Sequence, residues 1–123
     1  MKFKDLEEIK IESDNFLFEM SSIRKRTHTK LPCNVFFGTK YGDQMHSPRI
    51  KFQNSYSDRI IPEDLVPMLI LTQEIPINFN QVLKPKDLDY LIRFVKANKQ
   101  VFLDVWFDKI DENEIYNKLL FEV

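Results

Sequence analysis

The stretch Pro48-Arg49-Ile50-Lys51-Phe52-Gln53 has the clearest alternation of apolar and polar residues in this 123-residue chain. Side chains on a β-strand point alternately to opposite faces, so Ile50 and Phe52 share one face and the polar residues share the other. A proline at the first position suits the start of a strand or an edge strand. The pattern predicts a strand that turns its apolar face to the core and its polar face outward.

Two apolar runs are predicted to extend this strand into a sheet. Cys33–Phe37 is strand-like and ends at Gly38, and we expect it to pair antiparallel with residues 48–53 across a long loop. The run from Pro67 to Leu71 predicts a buried strand. Residues 1–12 are predicted as a strand or an ordered arm. Apolar residues at helical spacing favour a helix over 13–23, although a strand fits the same residues.

The last third of the chain has the signals of helices. Pro85 suits the first turn of a helix, and Asp87 complements the helix dipole there. An apolar stripe then predicts one helix over residues 85–106; it consists of Leu88, Leu91, Ile92, Val95, Phe102 and Trp106. Asp111 and Glu114 have the spacing of a capping box, which predicts a short helix over 112–121. We therefore predict a single α+β domain over residues 1–123, with a small antiparallel sheet of three to four strands packed against the long C-terminal amphipathic helix.

Composition excludes several classes of function. Only two glycines are present, which argues against a glycine-rich phosphate loop. The single cysteine, Cys33, can form no intrachain disulfide, which suits a reducing compartment, and we interpret it as a small buried residue. The charged start of the chain is unlike a signal peptide, and no apolar run is long enough to cross a membrane. We expect a cytoplasmic protein that has no cofactor and does not bind a metal or a membrane.

Charge is balanced overall but not along the chain. Residues 24–59 carry eight Lys and Arg residues and two acids, whereas residues 1–20 and 104–123 are net acidic. The basic residues predict an exposed face that binds an acidic protein, a second copy of the chain or a small anion. This predicted basic face comprises Arg24, Lys25, Arg26, His28, Lys30, Arg49 and Lys51. On this interpretation the protein is a non-enzymatic binding protein.

Two alternatives use other residues. Aromatic side chains near the basic residues could stack on bases, which would make the protein a binder of single-stranded nucleic acid. The predicted interface aromatics are Tyr41, Tyr56 and Trp106, and Trp106 also fits a core position. The second alternative is a small enzyme or toxin centred on His46, with Cys33 as a candidate nucleophile beside it.

Three segments resemble a known family. They are His46-Ser47-Pro48 before the first strand described above, the amphipathic segment Lys86–Trp106 with its Asn98-Lys99 pair, and residues 23–34. The first two resemble the small bacterial and phage proteins called domain of unknown function 4160, and residues 23–34 resemble longer bacterial and phage relatives. The resemblance implies a compact α+β fold, frequent occurrence on phages and mobile elements, and sometimes a toxin–antitoxin setting. It implies no established activity and no catalytic residues.

Overall fold

The computed structural model describes residues 20–25, 27, 30–39 and 47–123. In these residues four strands form one antiparallel sheet in the order β1-β2-β3-β4, and each strand pairs with the next one along the chain. The strands are β1 (Ser21–Ile23), β2 (Val35–Phe37), β3 (Arg49–Gln53) and β4 (Leu65–Leu69). With the helices described below, this sheet confirms the predicted α+β fold.

The register of the sheet gathers the core residues on one face. Val35 lies opposite Phe52, and Ile50 lies opposite Met68. All four side chains are buried in the main hydrophobic core. The predicted pairing of the second and third strands and the inward face of β3 are therefore confirmed.

Two helices cover this face of the sheet. Helix α1 spans Pro85–Ala97 and helix α2 spans Lys99–Trp106. Their buried residues, which include Phe94 and Phe102, pack into the same core as the sheet. The rings of Phe37 and Phe102 have centroids 5.9 Å apart, so an aromatic contact joins sheet to helix.

The predicted single helix over 85–106 is interrupted at Asn98. Its backbone leaves helical geometry, and its side-chain amide donates to the Phe94 carbonyl oxygen at 2.8 Å and also contacts Leu120. An asparagine amide that bonds nearby backbone groups competes with the helix, which explains the interruption. Apolar spacing alone did not show it.

Helix α2 ends in a Schellman motif. The amide of Lys109 donates to the Asp104 carbonyl oxygen at 2.7 Å, and the amide of Asp108 donates to that of Val105 at 3.0 Å. Asp108 has a φ of 58°, in the left-handed region that glycine adopts most readily.

Two short 3-10 helices, Pro62–Asp64 and Glu112–Asn117, complete the elements. The first lies between β3 and β4 in the chain. The second stands where an α-helix was predicted over 112–121, and the Asp111 side chain makes no capping hydrogen bond there. Residues 21–23 form a strand and not the predicted helix; residues 1–19 lie outside the described part. No helix in the described ranges is both long and apolar enough to cross a membrane.

Both edges of the sheet are protected. The Tyr116 hydroxyl, from the second 3-10 helix, donates to the Ser22 carbonyl oxygen of β1 at 3.0 Å. At the other edge, Pro67 in the middle of β4 has no amide hydrogen to offer a further strand.

Candidate functional site

Arg49 and Lys51 do not lie on an exposed face. Arg49 is 6% exposed and Lys51 is 2% exposed, and both make interactions within the protein. The alternation along β3 places them on the face opposite Ile50 and Phe52, as predicted. The prediction that this face is open to solvent is wrong.

The neighbouring strands explain the burial of this second face. Lys51 lies between Phe36 of β2 and Pro67 of β4. Phe36 forms a second, smaller core with Leu65, on the same side of the sheet as Lys51. Strands β2 and β4 are apolar at every position, which is typical of strands that are buried on both faces. This signal was present in the sequence.

The other predicted basic residues fall into two groups. Lys30 is exposed and its ammonium forms an ion pair with the Glu122 carboxylate. Arg24 and Lys25 instead contact the loop that follows β3. The predicted positions Arg26, His28, Tyr41 and His46 lie outside the residues that the structure describes.

A turn at Arg24 and Lys25 is fixed against the loop of residues 54–59. One guanidinium nitrogen of Arg24, Nη2, donates to the Asp58 carbonyl oxygen. The Lys25 amide donates to Asn34 Oδ1 at 2.9 Å, and Asn34 Nδ2 donates to the same Asp58 oxygen at 3.2 Å. We call Arg24, Lys25, Asn34, Tyr56 and Asp58 the Arg24–Tyr56 site.

Tyr56 is the centre of this site. The Lys25 ammonium donates to the Tyr56 carbonyl oxygen at 2.8 Å and lies 5.3 Å from the centroid of the Tyr56 ring. The Tyr56 hydroxyl donates to the Asp87 carboxylate and accepts from the Lys84 amide at 2.8 Å. The hydrogen bond to Asp87 raises the pKa of Tyr56. Tyr56 thus contacts both the Lys25 ammonium and the first turn of α1.

Arg24 is the member of the site with incomplete hydrogen bonding. Its Nε atom is buried and has no hydrogen-bond partner among the described residues. A buried donor without an acceptor is costly, by about 1–3 kcal/mol, so it is rare in folded proteins.

Buried amide side chains hold the loop in place, and no local sequence pattern predicts their contacts. Gln53, on β3, is fully buried; its Nε2 donates to the carbonyl oxygens of Ser57 and Arg59, and its Oε1 accepts from the Ile61 amide. Asn54 bonds the Asn80 carbonyl and the amide of Val82 in the same manner. A polar residue on a strand that is buried on both faces must find such partners. The continuous apolar runs of the neighbouring strands were therefore the available indication that Gln53 is buried.

Two further cationic residues are next to the site in sequence or through a backbone contact. Arg59 follows Asp58 in the loop and is exposed, and Lys84, whose amide binds the Tyr56 hydroxyl, is exposed as well. Asp58 is the acid within the site, and Asp87, which accepts from the Tyr56 hydroxyl, is an acid next to it. The two cations that the contacts themselves place in the site are Arg24 and Lys25, and fixed cations suit an anionic ligand.

Cys33 is buried and Trp106 is half-buried, so both side chains contribute to packing. Cys33 is buried, as predicted, and burial raises the pKa of its thiol to about 12. A thiol that stays protonated is a poor nucleophile, which argues against the catalytic alternative for this residue. Trp106 is half-buried at the end of α2.

The comparisons with known proteins add no relative. A scan against protein-family models finds no match, and searches of curated proteins and of solved structures find none either. The resemblance to domain of unknown function 4160 therefore stays a prediction.

Proposed function

We propose that the protein is a non-enzymatic binding protein that holds an acidic group at the Arg24–Tyr56 site. The group belongs to an acidic partner protein or is a small anion. The observation that carries the proposal is the fixation of two adjacent cations, Arg24 and Lys25, by carbonyl oxygens of a single loop.

Cations with fixed side chains suit this role because little side-chain conformational entropy is lost on binding. Arg and Lys side chains normally lose rotamer freedom when they contact a ligand, at a cost of about 0.5–1.5 kcal/mol each. Here the side chains of Arg24 and Lys25 are already bonded to the loop through Asp58 and Tyr56. Their remaining N–H groups can donate to a carboxylate or a phosphate.

The surrounding charge supports the same ligand. Two exposed cationic residues are linked to the site, since Arg59 follows Asp58 in the loop and the Lys84 amide bonds the Tyr56 hydroxyl. Exposed charges of one sign raise the rate at which an oppositely charged partner arrives, and this effect weakens as salt is added. We therefore expect binding that is strongest at low ionic strength.

The biological setting is a proposal of the same kind. We propose that the protein is an accessory factor of a phage or a mobile element that acts in the host cytoplasm. Its support is the resemblance carried by residues 23–34 and Lys86–Trp106, and the genes found beside its own would test it.

Charge reversal tests the site directly. The double variant Arg24→Glu and Lys25→Glu is compared with Lys96→Glu and Lys109→Glu, which change the same net charge at exposed positions elsewhere. The probe is a fluorescent polyglutamate peptide, and its binding is measured by anisotropy at low salt. We expect the first double variant to bind at least about tenfold more weakly than the native chain, which corresponds to about 1.4 kcal/mol. The control pair should bind nearly as well as the native chain. Equal binding by both double variants would overturn the proposal.

Two more probes separate the kinds of ligand. Inorganic phosphate, followed by thermal shift, tests the small anion. A single strand of about ten nucleotides tests the nucleic-acid alternative, which predicts a steep loss of affinity with salt. Binding of the strand but not of the acidic peptide would assign the site to nucleic acid instead.

A further inference from the structure

An exposed valine is held in place by the segment that precedes α1. Val82 is 54% exposed, and its amide donates to Asn54 Oδ1 at 2.9 Å. The same oxygen accepts from the Leu83 amide at 3.3 Å, and Asn54 Nδ2 donates to the Asn80 carbonyl oxygen at 2.6 Å. A valine side chain is short and has one stiff torsion angle, so fixing its backbone also fixes its methyl groups. Val82 is therefore an apolar group with a defined position at the surface.

The same segment brings Val82 close to Tyr56. The Lys84 amide nitrogen lies 2.8 Å from the Tyr56 hydroxyl oxygen. Because consecutive Cα atoms are only about 3.8 Å apart, the Cα atom of Val82 lies within about 10 Å of that oxygen. Tyr56 is itself 36% exposed. The Arg24–Tyr56 site thus has exposed apolar groups next to its cations.

The two ends of Tyr56 differ in charge. At the main-chain end, the Lys25 ammonium donates to the Tyr56 carbonyl oxygen, and Arg24 is bonded to the same loop. At the hydroxyl end, the Asp87 carboxylate accepts from the Tyr56 hydroxyl. A carboxylate repels a second acid placed beside it, so this end favours an uncharged group. A ligand that fits both ends is acidic at one and apolar at the other, where Val82 lies.

We propose that the Arg24–Tyr56 site binds a segment of a partner protein in which an apolar side chain stands two or three positions from an acid. The acid binds Arg24 and Lys25, and the apolar side chain covers Val82 and the exposed part of Tyr56. Two or three residues of extended chain span about 7–10 Å, which suits the distance between the ends of the site. This inference rests on the proposed function and selects an acidic protein over a small anion, which has no apolar part.

Two capped fluorescent peptides of equal charge test the apolar contact. Each has two central glutamates with one serine on either side of the pair. The leucine peptide carries a leucine at both ends, so that its direction in the site does not matter, and the serine peptide carries serines there. Binding to the full chain is measured by anisotropy at low salt. We expect the native chain to bind the leucine peptide at least about fivefold more tightly, because the leucine removes apolar surface of the site from water.

The variant Val82→Ser removes the apolar group without touching the core. It should reduce the preference for the leucine peptide to less than about twofold and leave the affinity for the serine peptide unchanged. Leu71→Ser is the matched control, since Leu71 is 48% exposed. The adjacent Ile70 amide donates to the Pro48 carbonyl oxygen at 2.9 Å, so Leu71 lies by the end of β3 that is opposite to the site. This control should keep the full preference.

The charge-reversed double variant, Arg24→Glu and Lys25→Glu, separates the inference from the proposed function. It should weaken binding of both peptides at least about tenfold. Equal binding of the two peptides by the native chain, with this loss retained, would overturn the inference and leave the proposed function standing. Undiminished binding of both peptides by the double variant would overturn the proposed function as well.

Two other results would also overturn the inference. One is a preference for leucine that persists in folded Val82→Ser, which would place the leucine elsewhere on the protein. The other is a native dimer in light scattering that Val82→Ser dissociates, which would assign the surface to a second copy of the chain. Circular dichroism establishes folding. If Val82→Ser fails to fold, Val82→Thr keeps the branched shape, puts a hydroxyl in place of one methyl group and is compared in the same way.

Discussion

Replacing Gln53 by methionine is the sharpest test of how the fold builds the Arg24–Tyr56 site. The Gln53 amide is fully buried and makes three hydrogen bonds to the backbone between Ser57 and Ile61. Methionine is close to glutamine in length and volume, so the change removes the hydrogen bonds with little change in packing. Asp58, whose carbonyl oxygen binds Arg24, lies inside the stretch that would lose its support.

The size of the effect follows from the three bonds. Each is worth about 1 kcal/mol net, which gives a loss of about 3 kcal/mol in the free energy of unfolding. The Arg59 carbonyl can find water because Arg59 is exposed, whereas the half-buried Ile61 amide cannot do so easily. With a urea m-value of about 2 kcal/mol per molar, the midpoint of unfolding should fall by about 1.5 M.

The measurement is urea unfolding followed by the fluorescence of Trp106, the single tryptophan. Gln100→Met is the matched control, since Gln100 is exposed on α2 and bonds only Asp104 among the described residues. We expect the control to lose less than about 0.5 kcal/mol. If Gln53→Met loses no more than Gln100→Met, the buried amide does not hold the loop and the reasoning is refuted.

Three further predictions concern other parts of the molecule. The Cys33 thiol should resist a thiol reagent at pH 8 in the native protein and react in urea, because burial raises its pKa to about 12; rapid labelling of the native chain would contradict this. Asp108→Gly should raise the free energy of unfolding by about 0.5–1 kcal/mol in urea titrations, because glycine adopts the left-handed position more easily; an unchanged or lower midpoint would count against it. Burial also raises the pKa of Tyr90 above its ordinary value of 10.0, so the stability that this hydroxyl contributes is complete below pH 10.0 and is lost as the pH rises further. Unfolding of Tyr90→Phe between pH 9 and 11 should therefore show a shallower decline than the native chain, and parallel curves would exclude the effect.

The main core could be predicted because the patterns that indicate it involve residues close together in sequence. Alternation in β3 placed Ile50 and Phe52 inward, and the apolar spacing of α1 placed Leu91 and Val95 in the same core. These patterns repeat with the periods of a strand and a helix, so they are visible without knowledge of tertiary contacts.

The candidate site could be predicted only in part, because exposure depends on what covers a face. The polar residues on one face of β3 indicated that this face is exposed to solvent. In the structure, Lys51 lies between Phe36 and Pro67 on a buried face. Arg24 and Lys25 were predicted to belong to the basic face. Their hydrogen bonds, however, are to Asp58 and Tyr56, which lie more than thirty positions away in the sequence. No local pattern contains such a contact. The interruption at Asn98 has the same origin, since its partner Leu120 lies in another segment.

The protected edges of the sheet determine how this protein can meet others. Pro67 removes a donor from the outer side of β4, and the Tyr116 hydroxyl already occupies the carbonyl of Ser22 on β1. A neighbouring molecule that sought to add a strand would find few main-chain groups available, which opposes the growth of amyloid-like ladders at high concentration. Contacts with other proteins are therefore expected at surfaces where side chains make the interactions. Such side chains can be substituted one at a time without disturbing the sheet.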